Sequence, residues 1–298
     1  MEVWIPITIA AAFLQNLRSA LQKYLKGSMG TSGATFVRFG FGVPFALLYW
    51  AVLIFGLGYD LPGLSLVFAI WLIVAAAAQI GATFLLVHLF SLRNFAVGNA
   101  YSRTEPVQTA VFALVLFGVQ FSVSAVLSIV FAVIGLMVIS VARSELTLRS
   151  VAFALIGRTA LIGLGSGTLF AVAAVGFQTA ARSVQSDDFI VQAATTLAIG
   201  ILFQSALMLV FLEKEELSRV RSAWKPSLLV GFIGATATFL WFAAFTLQEA
   251  ALVKVVAQVE MLFSFASSVF IFREAINAME IGGCVLIVSG ISCLILFG

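Results

Sequence analysis

Charge is scarce in this sequence. Only 10% of its 298 residues are Asp, Glu, Lys or Arg, against about 25% in soluble domains, which is too few to cover a water-facing surface. Histidine occurs once, at His88, so a two-histidine metal site cannot be built. The two cysteines, Cys284 and Cys293, lie nine residues apart in one apolar run. On a helix they point roughly 180° apart, so no disulfide joins them, and no zinc or redox spacing is present. No phosphate-binding glycine loop is present, which excludes a built-in ATPase. No metal and no cofactor are expected.

Apolar length fills the rest. Hydrophobic residues make up 62% of the chain and the mean hydropathy is +1.14. The charges cluster, leaving repeated apolar runs near the roughly 20 residues that cross a bilayer. The class implied is an all-α polytopic membrane protein with the lipid bilayer as its main partner. The net charge of +3 belongs to short loops, so nucleic acid is not expected as a partner. The opening MEVWIPITIAAAFLQNLRSALQ begins acidic and has no convincing cleavage site, so it reads as a retained first helix.

Breaks at charge, Gly and Pro predict ten transmembrane helices, near 4–24, 33–57, 66–90, 95–117, 123–142, 159–181, 188–212, 227–247, 250–272 and 279–297. The longest polar connection is FLEKEELSRVRSAWKPS, after the seventh span.

The sequence also resembles itself. ATFL recurs at Ala82–Leu85 and Ala237–Leu240, and the offset of 155 residues pairs Phe90 with Phe245, Glu105 with Glu260, and Gly135 with Gly290. Twelve of the 61 pairs from Ala82/Ala237 to Ala142/Phe297 are identical. Apolar coincidence explains some of these, but it would not also align the only Glu of the fourth span with the only Glu of the ninth. The reading is two five-helix repeats, 1–143 and 159–298, joined by a linker at 144–158. Five is odd, so the second repeat enters the membrane inverted, an arrangement typical of secondary transporters.

The odd loops carry Lys23, Lys26, Arg93, Arg143, Arg149, Arg158, Lys214, Arg219, Arg221, Lys225 and Arg273; the other side carries only Arg182. The positive-inside bias puts the odd loops in the cytoplasm and both termini outside.

Three stretches carry a family likeness. The second span reads ATFVRFGFGVPFALL, the fourth TEPVQTAVFALVLFG and the ninth VEMLFSFASSVFIFREAI, and the last two are each followed by a glycine-containing apolar helix. Together they resemble the drug/metabolite transporter superfamily, specifically its EamA-type ten-helix members. The first repeat departs from the pattern, with Val119 and Gln120 where the second has Glu274. The resemblance implies a secondary transporter working by alternating access, exporting small organic metabolites such as amino acids or amphipathic compounds. It also implies a multi-pass protein of the plasma (cytoplasmic or inner) membrane, and argues for cytoplasmic termini, against the charge count. A multidrug efflux transporter of the same fold is the nearest alternative. A non-transporting membrane scaffold is the alternative of another class. An enzyme is not expected, since Ser166 in GLGSG lacks the spacing of a nucleophile elbow. The assembly expected is a monomer or a homodimer.

Ionisable groups inside a span cost about 2.5–3.5 kcal/mol each, so they face a cavity or a partner. The candidate pathway residues are Glu105, Glu260, Arg103, Arg38, Tyr101, Gln108, Gln258, Gln15 and Gln22. Glu105 shares a helix face with Tyr101 and Gln108, and the two Glu residues are expected to face each other across the repeat axis. There they would handle protons or a substrate amine, or else serve structurally by pairing with Arg or capping broken helices. Arg38 and Arg103 either line the cavity or neutralise those carboxylates. Lys254 is expected to snorkel to the membrane surface. Gln15, Arg18, Ser19, Gln22 and Lys26 share a stripe of the first helix that suits a cavity wall, although snorkelling explains Arg18, Lys23 and Lys26 equally well. Pro106 and Pro44 are expected to break their helices, and Gly163–Gly167 to permit close packing.

Overall fold

In the computed structural model, residues 2–89, 102, 104–142, 158–263 and 278–297 are described. Every regular element among them is helical; the only β contact among them is a single bridge between Gly63 and Gln185. An apolar environment dictates this, because a helix satisfies its own backbone hydrogen bonds where no water can.

The chain order is α1 (Trp4–Gly40), α2 (Val43–Ala51) continued by a π-turn (Val52–Gly56), and α3 (Leu66–Leu89). Then come α4 (Glu105–Phe117), α5 (Val123–Ala142), α6 (Arg158–Arg182), α7 (Phe189–Phe211) and α8 (Lys214–Ser222). The remaining helices are α9 (Trp224–Leu247), α10 (Ala250–Val256) and α11 (Ala278–Phe297). Among the described residues six segments are long and apolar enough to cross a membrane: Trp4–Gly56, Leu66–Leu89, Ala160–Arg182, Phe189–Phe211, Trp224–Leu247 and Ala278–Phe297. Glu105–Phe117 and Val123–Val138 are shorter apolar helices. The expected linker and parts of the expected fourth and ninth spans lie outside the described residues.

Two connections differ from expectation. The sequence suggests a loop between the first two spans, but helix runs on from Trp4 to Gly40 with one non-helical residue, Gly30, at φ 80°. Only glycine takes that conformation without strain, and Gly30 lies against the carboxylate of Glu216 on α8. That helix is the second difference, because the polar stretch after α7 folds instead of looping. Acidic residues fill its first turn and Arg219 and Arg221 its last, as the helix dipole favours. Its one buried residue, Val220, packs on Gly33. Pro44 acts as expected: the helix breaks at Phe41–Gly42 and restarts with the proline in the first turn of α2, where no N–H is needed.

The interior is built from small side chains. Ala171, Ala174 and Ala180 on α6, and Ala235, Ala237 and Ala244 on α9, are fully or nearly fully buried, while Leu, Val, Ile and Phe crowd the exposed faces. Lipid tails are as apolar as leucine, so large residues gain little by turning inward, whereas small ones let helix backbones approach. The principal pairings are α3 with α6, α1 with α9, and α5 with α11. In the last pair a Cβ on Gly135 would lie 2.6 Å from the Gly283 carbonyl oxygen and 2.9 Å from the Ile287 nitrogen. A Cβ on Gly290 would lie 2.8 Å from the Ser128 oxygen and 3.0 Å from the Ala132 nitrogen. Neither cysteine of α11 is in a disulfide.

Candidate functional site

The helices carrying Glu105 and Glu260 both break just before the glutamate. Thr104 is a turn and α4 begins at Glu105, with Pro106 in its first turn. Downstream, α10 ends at Val256, Ala257 and Gln258 form a turn, and 259–263 is helical again. Each glutamate thus stands in the first turn of a helical segment, where the dipole favours negative charge. Pro106 starts a helix here; it does not kink one from within.

Between these breaks lies a polar pocket of about 40 Å³ lined by Gln15, Arg18, Ser19, Leu86, Ser102, Glu105, Phe170, Lys254 and Glu260. The helix α1 supplies Gln15, Arg18 and Ser19; α3 and α6 supply Leu86 and Phe170. A volume of that size has room for a few waters and not for an organic substrate.

Two cations and two carboxylates meet there. Lys254 Nζ lies 2.8 Å from Glu105 Oε1. That oxygen has no directed hydrogen bond among the described residues, so the contact is an ion pair held by charge. The same ammonium sits 4.3 Å from the centroid of the Trp241 ring and 5.7 Å from that of Phe245, a cation–π arrangement strengthened by removal from water. Trp241 in turn donates its indole N–H to Gln15 Oε1 at 3.1 Å. Arg18 is 2% exposed and Glu260 4%, and the two attract one another electrostatically. Nε and Nη1 of Arg18 have no hydrogen-bond partner among the described residues. A buried donor left unmet costs about 1–3 kcal/mol, and more when charged, so this arrangement needs a reason.

The sequence-predicted residues separate into three groups. Glu105, Glu260 and Gln15 line the pocket. Arg38, Gln22, Gln108 and Gln258 are placed elsewhere. Arg38 is 3% exposed and donates Nη1 to Thr83 Oγ1 at 2.8 Å, a hydroxyl partner in place of either alternative, the cavity or the carboxylates. Gln22 donates to the Ala34 carbonyl at 2.8 Å, tying the two limbs of α1 across Gly30. Gln108 bridges Thr104 and Thr168, donating to the first and accepting from the second, each at 2.7 Å. Gln258 donates to the Lys254 carbonyl, one turn back, at 3.2 Å. Tyr101 and Arg103 lie outside the described residues.

Arg18 and Lys254 are pocket residues that snorkelling would have taken to the surface. Both face inward: α1 continues well past Arg18, so Arg18 is not near a helix end, and Lys254 is held by Glu105. The inward stripe of Gln15, Arg18, Ser19 and Gln22 is the signal that points to the first. Nothing comparable marks Lys254 in sequence. Gly167 makes the close approach expected of GLGSG, since a Cβ there would lie 2.8 Å from the Ser102 oxygen. Ser166 donates to the Ala82 carbonyl at 3.0 Å. Among the described residues no group of three or more His, Cys, Asp or Glu is placed to hold a metal ion.

Apolar helices around a small charged pocket define a polytopic membrane protein. Residues 157–296, just under half the chain, match the family model of the EamA-like transporters. That part of the chain is therefore similar to the EamA-like transporters, in line with its motifs. A crystal structure of another protein shares the fold at a TM-score of 0.71, covering 98% of this chain and 95% of that one. Its 17% sequence identity makes that a likeness of fold alone. No curated protein is significantly similar in sequence.

Proposed function

We propose that this protein is a secondary active transporter of the plasma membrane that exports small organic metabolites of the amino-acid type by alternating access. Ten transmembrane helices form two inverted five-helix repeats around the pocket of Arg18, Glu105, Lys254 and Glu260. Its partners are the lipid bilayer, the small-molecule substrate and protons, and it acts as a monomer or a homodimer. The observation that carries the reading is the meeting, in one enclosed pocket, of two glutamates 155 positions apart, each at the start of a helical segment and each accompanied by a cation.

The packing supports the inverted repeat. Adding 155 to Ser128 and Ala132, the residues against Gly290, gives Gly283 and Ile287, the residues against Gly135. The α5–α11 contact is thus its own image under exchange of the repeats. The same exchange turns the pairing of α3 with α6 into that of α9 with α1. The site supports a substrate that can answer both signs of charge, because binding energy here comes from groups already desolvated.

A pH gradient imposed across proteoliposomes holding the purified protein tests the reading. The wild type moves amino-acid-type solutes in response to the gradient, and the Glu105→Gln/Glu260→Gln double variant does not. Undiminished proton-driven transport in the double variant would remove the glutamates from the coupling step.

A further inference from the structure

Resting on the transport reading above, we infer that Arg18 is the anchor for a carboxylate of the transported molecule. The substrate class this defines is a small organic molecule bearing a carboxylate, with or without an amine.

The charges of the pocket are assigned unequally. Lys254 is held by Glu105 at 2.8 Å and by the faces of Trp241 and Phe245. Arg38, the neighbouring buried arginine, is engaged with Thr83. Arg18 alone of these three cations lines the pocket with donors, at Nε and Nη1, that meet no acceptor among the described residues. It is 2% exposed, so bulk water does not satisfy them. A planar guanidinium is best met by a carboxylate or phosphate oxygen pair.

Charge balance selects between those ligands. Among the described residues Arg18, Lys254 and two carboxylates line the pocket, and Arg38, buried beside Arg18, leaves the cluster with a surplus of positive charge. A carboxylate on Arg18 offsets that surplus, and an amine on the same molecule can pair with Glu260 or Glu105. A phosphate dianion would leave the site negative, and a simple amine would add to its positive charge. An uncompensated charge in this setting is heavily penalised. The pocket needs to widen to admit such a molecule. Room for the Arg18 stem is already provided at Gly234, where a Cβ would lie 3.4 Å from Arg18 Cδ and 3.5 Å from Arg38 Cγ.

The test is competition for uptake into proteoliposomes by matched pairs of compounds, phenylalanine against phenylalaninamide and leucine against leucinamide. 3-Phenylpropionate serves as the acid without an amine. In the wild type the carboxylate compounds compete better than the amides. In Arg18→Gln their competition falls about tenfold or more, the loss expected when a charge-assisted pair is removed, while the cationic amides, which bring no carboxylate to Arg18, keep or gain competition. Arg18→Lys, which keeps the charge without the planar fork, falls between the two. Uptake that persists for the amides, with an unchanged elution volume in size-exclusion chromatography, shows that the variants are folded. Equal competition by amino acids and amides in the wild type, or undiminished competition by the amino acids in Arg18→Gln, overturns the anchor and leaves transport standing. Failure of every compound to compete or to be taken up overturns both.

Discussion

At the scale of single residues, the pairing of Glu105 with Glu260 is legible in the sequence itself, because a fixed offset aligns them among apolar residues. Their cations are less legible there: the stripe on the first helix offers Arg18 to a cavity wall without deciding it. A lysine or arginine near a presumed span end reads equally as surface-seeking, and only the tertiary packing places Lys254 against Glu105 and buries Arg18. Nor does any pattern in the chain reveal that Arg38 answers a threonine. The Lys254–Glu105 pair makes a direct prediction. Lys254→Met and Glu105→Gln each lower the melting temperature in detergent by stranding the other partner, and the double variant recovers part of the loss. A double-mutant cycle gives a coupling of about 1–3 kcal/mol. Additive losses would mean that the 2.8 Å contact contributes nothing.

At the scale of helices, pattern locates most elements, and glycine and proline decide the joints. The offset that pairs Gly135 with Gly290 can be read from sequence, but not the reason for it, which is that backbone atoms of the facing helix occupy the place a side chain would take. Gly135→Ala and Gly290→Ala each destabilise the protein by about 1–3 kcal/mol through overpacking. Gly282→Ala, on the same helix as Gly290 but with nothing within 4 Å of its added Cβ, is neutral or stabilising, since alanine is the better helix former. Thermal denaturation of the three variants in detergent checks this, and equal behaviour of all three would remove the close α5–α11 approach. The joint at Gly30 escapes a reading by pattern because KGSMGTSGA looks like a loop. Only one residue of it leaves the helix, the rest being held by Gln22 bonding across the break and by α8 packing on it.

At the scale of the whole molecule, the proposed alternating access assigns the two ends of the pocket to two contacts. On one face Arg182, at the end of α6, pairs with Glu249 beyond α9 at 2.7 Å, and Gln178 donates to the Gln248 carbonyl at 2.9 Å. On the other face Lys26, on α1, donates to the carbonyl of Val87 near the end of α3 at 2.6 Å. Under the proposed exchange of repeats α1 corresponds to α6 and α3 to α9, so the two contacts would be counterparts, as the proposed alternating access requires. The central claim is that the charged pocket is reached from each face in turn. The most direct measurement is labelling of Ser19→Cys, in a Cys284→Ser/Cys293→Ser background, by a membrane-impermeant thiol reagent added to either side of the membrane. It is repeated after Arg182→Cys and Glu249→Cys have been introduced and cross-linked. Alternating access predicts labelling from both sides before cross-linking, and from the Lys26 side alone afterwards. Labelling from one side only, indifferent to the cross-link, would contradict it.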